Sequence, residues 1–243
     1  FISSDQITGA NLDANDRSAV VLIHGWTTKD PDDAPSNMYI NEWRTLVDAL
    51  IVRLSGTGAK LILFHWENDA STGEMFPIGF LNASSAASSA FLNGTRLAAR
   101  LNEVAPELRR VTFIAHSAGA WAAYRATEKL LLANPYVVVN VVLLDPFIPG
   151  VDVSQTTPLT TAKMGQLDDV PGRDRIYRLE NYYAVDYFTD TDQNWIPAGG
   201  DGATSQEFEW RAGTDINRRI DYEHSDHTVY GGHDGPKLFF ADT

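Results

Sequence analysis

Val111-Thr112-Phe113-Ile114-Ala115 leads directly into His116-Ser117-Ala118-Gly119, and Ala120-Trp121-Ala122-Ala123-Tyr124 follows at once. No other stretch constrains the fold so tightly, because the chain must leave a buried strand and enter a helix within about four residues. Ser117 falls at the tip of that turn. A serine there is held in a strained backbone conformation, so the residues two positions either side must be small, and Ala115 and Gly119 are. The form is that of a nucleophile elbow, with Ser117 as candidate nucleophile; an ordinary strand-to-helix turn is the plainer alternative.

The flanking sequence repeats the same alternation of element types. Ser18 to Ile23 is a continuous apolar run ending in His24-Gly25-Trp26, as expected of a strand covered on both faces. Trp43, Leu46, Val47, Leu50, Ile51 and Leu54 recur at helical spacing, predicting a helix with one buried face that stops at Ser55-Gly56. Lys60 to Trp66 reads as a second buried strand, followed by a polar loop from Glu67 to Gly79. A helix is expected over about 83–104, stopped near Pro106. The elbow helix ends at Leu130-Leu131-Leu132, and Tyr136 to Leu144 is another buried strand closing on Asp145-Pro146. Residues 1–17 offer an edge strand or two. Arg173 to Tyr183 is a further strand, while Val151 to Asp169 and Thr189 to Gly202 have loop composition. Strands alternating with helices predict an α/β protein: a mostly parallel central sheet with helices on both faces. At 243 residues, without internal repeat or linker, the chain reads as one domain over 1–243.

A serine hydroxyl becomes a useful nucleophile only with a base, a group that orients the base, and donors for the oxyanion. Asp145 is the favoured acid. It ends an apolar strand downstream of the elbow and should lie at the same sheet edge; Asp186, after the next strand, competes, and a turn aspartate before proline is the plainer reading. His24, His65 and His116 precede or adjoin the elbow, which leaves His224, His227 and His233 as candidate bases. His116 is set aside because adjacent side chains on the turn point apart, and it is expected to pack against neighbouring strands. For the oxyanion, Gly25 lets the backbone approach the elbow, so the amides of Trp26 and Ala118 are the expected donors; burial of Trp26 in the core is the alternative. The three C-terminal histidines also permit a metal site, although no established zinc spacing is matched. The order serine, acid, histidine is that of α/β-hydrolases.

Composition narrows the partners. With 19 basic and 32 acidic residues the net charge is −13, which repels phosphate backbones and anionic membranes, so nucleic acid is not expected as a partner. The absence of cysteine removes disulfides, a thiolate nucleophile and Cys-ligated zinc. No run approaches the length of a membrane-spanning segment. An opening at Phe1 rather than methionine points to a removed leader and secretion, with a cytoplasmic location left open. Asn82-Ala83-Ser84 and Asn93-Gly94-Thr95 match the glycosylation pattern.

Ile23-His24-Gly25-Trp26, His65-Trp66, Asn93-Gly94-Thr95-Arg96-Leu97, Ala115 to Gly119, Leu144-Asp145-Pro146, and His233 followed by Phe239-Phe240-Ala241-Asp242 together resemble the lipase family of α/β-hydrolases, which includes pancreatic and lipoprotein lipases and phospholipases A1. The chain departs from it in Ala115 for the usual glycine, in lacking disulfides, and in having no recognisable calcium loop. The resemblance implies an α/β-hydrolase fold and a serine carboxylic ester hydrolase with Ser117 as nucleophile. It selects His233 as base over His224 and His227, and supports Asp145 over Asp186. It implies no cofactor or metal, a small-molecule or lipid ester as substrate, and no protein partner. A metal-dependent hydrolase built on the C-terminal histidines, or a non-catalytic binding protein on the same scaffold, is the alternative expectation. The apolar residues Met75, Phe76, Ile78, Phe80 and Leu81, and Trp195, Ile196, Phe208 and Trp210, are candidates for an acyl pocket or lid, or else for core beneath the loops.

Overall fold

The computed structural model describes residues 7–9, 12–27, 43–72, 79–147, 172–183, 216–219, 237, 240 and 241; for 7–9, 79–83, 173, 177, 183 and 216–219 it describes the backbone alone. The strands are β1 (Ile7–Gly9), β2 (Ser18–Ile23), β3 (Lys60–Phe64), β4 (Arg110–His116), β5 (Val138–Leu144), β6 (Ile176–Tyr183) and β7 (Ile216–Arg219). The helices are α1 (Arg44–Leu54), α2 (Glu67–Ala70), α3 (Gly79–Val104) and α4 (Ala120–Ala133), with single 3-10 turns at Ser117–Gly119 and Arg173–Arg175.

All seven strands join one sheet in the order β1-β3-β2-β4-β5-β6-β7. Among the described strands only β1, at the edge, runs antiparallel, against β3, and the other pairings are parallel. Parallel strands need a crossover long enough to return the chain, and helices supply it for the connections from β2 to β5. α1 lies between β2 and β3, α3 between β3 and β4, and α4 between β4 and β5.

Side chains alternate across the sheet, so each central strand feeds two cores. Val21, Ile23, Phe113, Ala115, Val141 and Leu143 face one side, where Ala87, Ala90, Leu97 and Leu101 of α3 and Trp121, Tyr124 and Leu130 of α4 cover them. Val20, Leu22, Ile114, Val142 and Leu144 face the other, against Trp43, Leu46 and Leu50 at α1 and Ala241 near the C-terminus. Burying each such Leu, Ile or Phe is worth about 1.5–3 kcal/mol, which explains why these strands read as unbroken apolar runs. The prediction of a mostly parallel sheet with helices on both faces therefore holds.

Several local expectations need correction. Glu67 to Ala70, read as the start of a polar loop, is a short helix. Ile51, placed on the buried face of α1, is 57% exposed; at about 100° per residue it sits roughly 140° around the helix from Leu46, beyond the buried stripe. Tyr136, read as the first residue of a strand, is exposed, and β5 begins at Val138. Asn93 of the second glycosylation motif is buried, with its amide donating to Asp69 Oδ2 at 2.7 Å and to the Ser89 carbonyl at 3.0 Å. That sequon belongs to helix packing. Beside it, Gly94 lets α3 and α4 approach, since a methyl group there would collide with the Ala122 backbone. No helix among the described residues is long and apolar enough to cross a membrane.

Candidate active site

Parallel register aligns the carboxyl ends of the central strands. Ile23 of β2 pairs with Ala115 of β4 and with Phe64 of β3, and His116 of β4 pairs with Leu144 of β5. Ser117 and Asp145 are thus each the residue immediately after a register pair on neighbouring strands. This edge of an open parallel sheet is where ligands of such folds bind.

Both residues leave the strand in the same unusual way. Ser117 has φ 54° and Asp145 φ 48°, and they are the non-glycine residues with positive φ among those described. Left-handed backbone costs an L-residue about 1–2 kcal/mol, so the surrounding structure must hold it there. At Ser117 the hold is visible. Gly25 packs so tightly that a Cβ on it would lie 2.6 Å from Ser117 Cβ and 3.2 Å from Ser117 Oγ, and a methyl on Gly119 would run into the His24 carbonyl. The two glycines let β2 and the elbow interlock, and larger side chains would force them apart.

Ser117, Ala118 and Gly119 form a single 3-10 turn that passes straight into α4. Ser117 therefore stands at the amino end of a 14-residue helix, where unpaired amides and the helix dipole favour negative charge. Asp145 is fully buried, and its backbone N–H donates to the Tyr182 carbonyl at 2.7 Å, tying the end of β5 to β6. The indole N–H of Trp121 donates to the Phe147 carbonyl at 2.9 Å, fixing the chain just beyond Asp145 onto α4. His116 is buried, with its ring edge-on to Trp43 at 6.0 Å, consistent with a packing role away from the turn.

The structure thus brings Ser117, Ala118, Gly25, Trp26 and Asp145 to one edge of the sheet. Trp26 is half-buried and packs partly against the core on the α3–α4 side. His233, His224, His227 and Asp186 lie outside the described residues, as do most of the loop residues considered for a lid.

A buried polar cluster behind the Gly25 turn was not anticipated from the sequence. His24 is fully buried and stacks on Trp66, with ring centroids 5.2 Å apart. Its Nδ1 is 2.8 Å from the Gly25 carbonyl oxygen; its Nε2 is 3.3 Å from the Trp66 amide nitrogen and 3.7 Å from Glu67 Oε2. The Trp66 indole N–H donates to the His24 carbonyl at 2.9 Å, and His65 Nδ1 lies 2.9 Å from Glu67 Oε1. Burial works to raise the Glu67 pKa, but hydrogen bonding to His24 and His65 and attraction to His24 outweigh it and hold the carboxyl at about 2. A signal was present: each of two apolar strand runs is followed at once by a histidine, His24 after Ile23 and His65 after Phe64.

A model of the alpha/beta hydrolase family matches residues 20–234, and the chain belongs to that family, with its α/β-hydrolase fold. No curated protein matches the chain. Among solved structures it is similar to the esterase Pf2001 of Pyrococcus furiosus, at 12% identity and a TM-score of 0.48 over 98% of this chain and 91% of that one. It is also similar to a phospholipase/carboxylesterase from Dyadobacter fermentans, at 13% identity and a TM-score of 0.46 over 100% and 97% of the two chains. A third is LpqC, a poly(3-hydroxybutyrate) depolymerase from Bordetella parapertussis, at 14% identity and a TM-score of 0.47 over 97% and 83%.

Proposed function

We propose that this hydrolase-family chain is a serine carboxylic ester hydrolase of the lipase and esterase type, acting through an acyl-enzyme. The observation that carries the reading is the strained Ser117, at φ 54°, interlocked with Gly25 at the amino end of α4. Strain of this kind is retained where it presents a side chain for chemistry.

In this reading Ser117 Oγ attacks the ester carbonyl while His233 takes its proton. Asp145, one position beyond the neighbouring strand, orients the imidazole and stabilises its charged form. The carbonyl oxygen becomes an oxyanion held by the amides of Trp26 and Ala118; loss of one such donor costs about a hundredfold or more in kcat. Collapse of the tetrahedral intermediate expels the alcohol, which takes the proton from His233. Water then attacks the acyl-serine by the same steps in reverse. The reaction needs no cofactor, and the substrate is a small-molecule or lipid ester whose acyl length is set by the loops around the sheet edge.

Turnover of p-nitrophenyl esters from acetate to long acyl chains, with Ser117→Ala as control, tests this. The unaltered chain should hydrolyse at least part of the series, and Ser117→Ala should lose about a thousandfold or more in kcat while keeping its circular dichroism spectrum. Equal rates for the two proteins would remove Ser117 from the mechanism.

A further inference from the structure

The turn that carries the Trp26 amide is gripped from both sides. The elbow presses on one side through Gly25 and Gly119, and the His24–Trp66 pair holds the other. A peptide group is planar and trans, so its C=O and N–H point in opposite directions. The Gly25 carbonyl and the Trp26 N–H belong to one such group. Fixing the carbonyl fixes the direction of the N–H.

His24 Nδ1, at 2.8 Å, is the atom that fixes the Gly25 carbonyl. A carbonyl only accepts, so this contact requires a proton on Nδ1. On the far side of the ring, Nε2 faces both the Trp66 amide nitrogen at 3.3 Å and the Glu67 carboxylate at 3.7 Å. A ring protonated at Nε2 alone would set two lone pairs against each other at Gly25. The preceding peptide is held as well, by the Trp66 indole on the His24 carbonyl at 2.9 Å. Donation to the Gly25 carbonyl also polarises the peptide, which makes the Trp26 N–H a stronger donor.

We propose that His24 is a positioning residue for ester hydrolysis: its Nδ1–H, held on the Gly25 carbonyl, orients and polarises the Gly25–Trp26 peptide so that the Trp26 N–H meets the developing oxyanion. The inference rests on the ester-hydrolase reading given above. Because an oxyanion forms only after substrate has bound, the effect belongs in kcat and not in KM.

Two substitutions separate positioning from packing. Asparagine places an amide N–H near the site of Nδ1, whereas glutamine places its polar atoms near Nε2 and leaves the Gly25 carbonyl without its donor. With p-nitrophenyl acetate, His24→Gln should lower kcat by about tenfold or more with KM within about twofold, and His24→Asn should recover most of that loss. Wild-type kcat in His24→Gln, or parallel losses of kcat and thermal stability in both variants, would overturn the inference. If His24→Gln does not fold, nitrogen NMR of the imidazoles in the unaltered chain decides. A His24 protonated at Nδ1 is expected, and protonation at Nε2 alone overturns the inference. Absence of ester turnover by the unaltered chain would sink the underlying reading too, whereas turnover with an indifferent His24→Gln sinks this inference alone.

Discussion

Ser117 and Asp145 carry their positive φ angles at equivalent positions, one residue beyond paired strand ends. At Ser117 the neighbouring residues show what sustains the strain. Gly25 has no room for a side chain, since its Cβ would meet Ser117 Cβ at 2.6 Å. Gly25→Ala must therefore push β2 and the elbow apart. Overpacking of this kind costs about 1–3 kcal/mol, and the displaced serine should lose at least about tenfold in kcat. Urea unfolding and p-nitrophenyl acetate kinetics on the same preparation check both; an alanine variant as stable and active as the parent would mean the interlock is unimportant. The turn at Ser117 was legible because its strand, its turn and its helix each leave a residue signature. The positive φ of Asp145 was not, since nothing in Leu143-Leu144-Asp145-Pro146 distinguishes it from an ordinary turn aspartate.

At the scale of elements, strands β2, β3, β4 and β5 could be read from sequence because strands buried on both faces are apolar throughout. β7, with Ile216-Asn217-Arg218-Arg219, sits at the sheet edge and carries no such run, so it went unread. The short helix α2 is too brief to show a period, yet it sets Glu67 beside His24 and His65. This position makes a pH prediction. The Glu67 carboxyl has its ordinary value near 4.5 in the unfolded chain and about 2 when folded. A depressed folded pKa means the ionised group stabilises the fold above the unfolded value, and that stability is lost as pH falls from about 4.5 through about 2. Glu67→Gln should thus cost about 1–3 kcal/mol at neutral pH, and the gap from the parent should shrink as pH falls towards 2. Urea midpoints at stepped pH measure it, and a gap that is constant with pH would contradict it.

Over the whole molecule, the alternation of strands and helices predicted the parallel sheet, but the strand order did not follow from it. β3 lies outside β2 and β4 inside, a crossover choice made by packing and not by local composition. The candidate site spans this arrangement, drawing on the ends of β2, β4 and β5, with His233 as the proposed base from far along the chain. The net charge of −13 is compatible with neutral ester substrates and disfavours anionic ones. A serine mechanism also predicts indifference to chelators. Overnight dialysis against EDTA should leave ester turnover within about twofold of the untreated protein, whereas metal-restorable loss would favour a site built on His224, His227 and His233. The most direct measurement of the central claim is covalent capture: treatment with a fluorophosphonate, followed by peptide mass spectrometry. The account predicts one stoichiometric adduct on Ser117, abolished in His233→Ala; an intact chain after prolonged exposure, or an adduct on another residue, would contradict it.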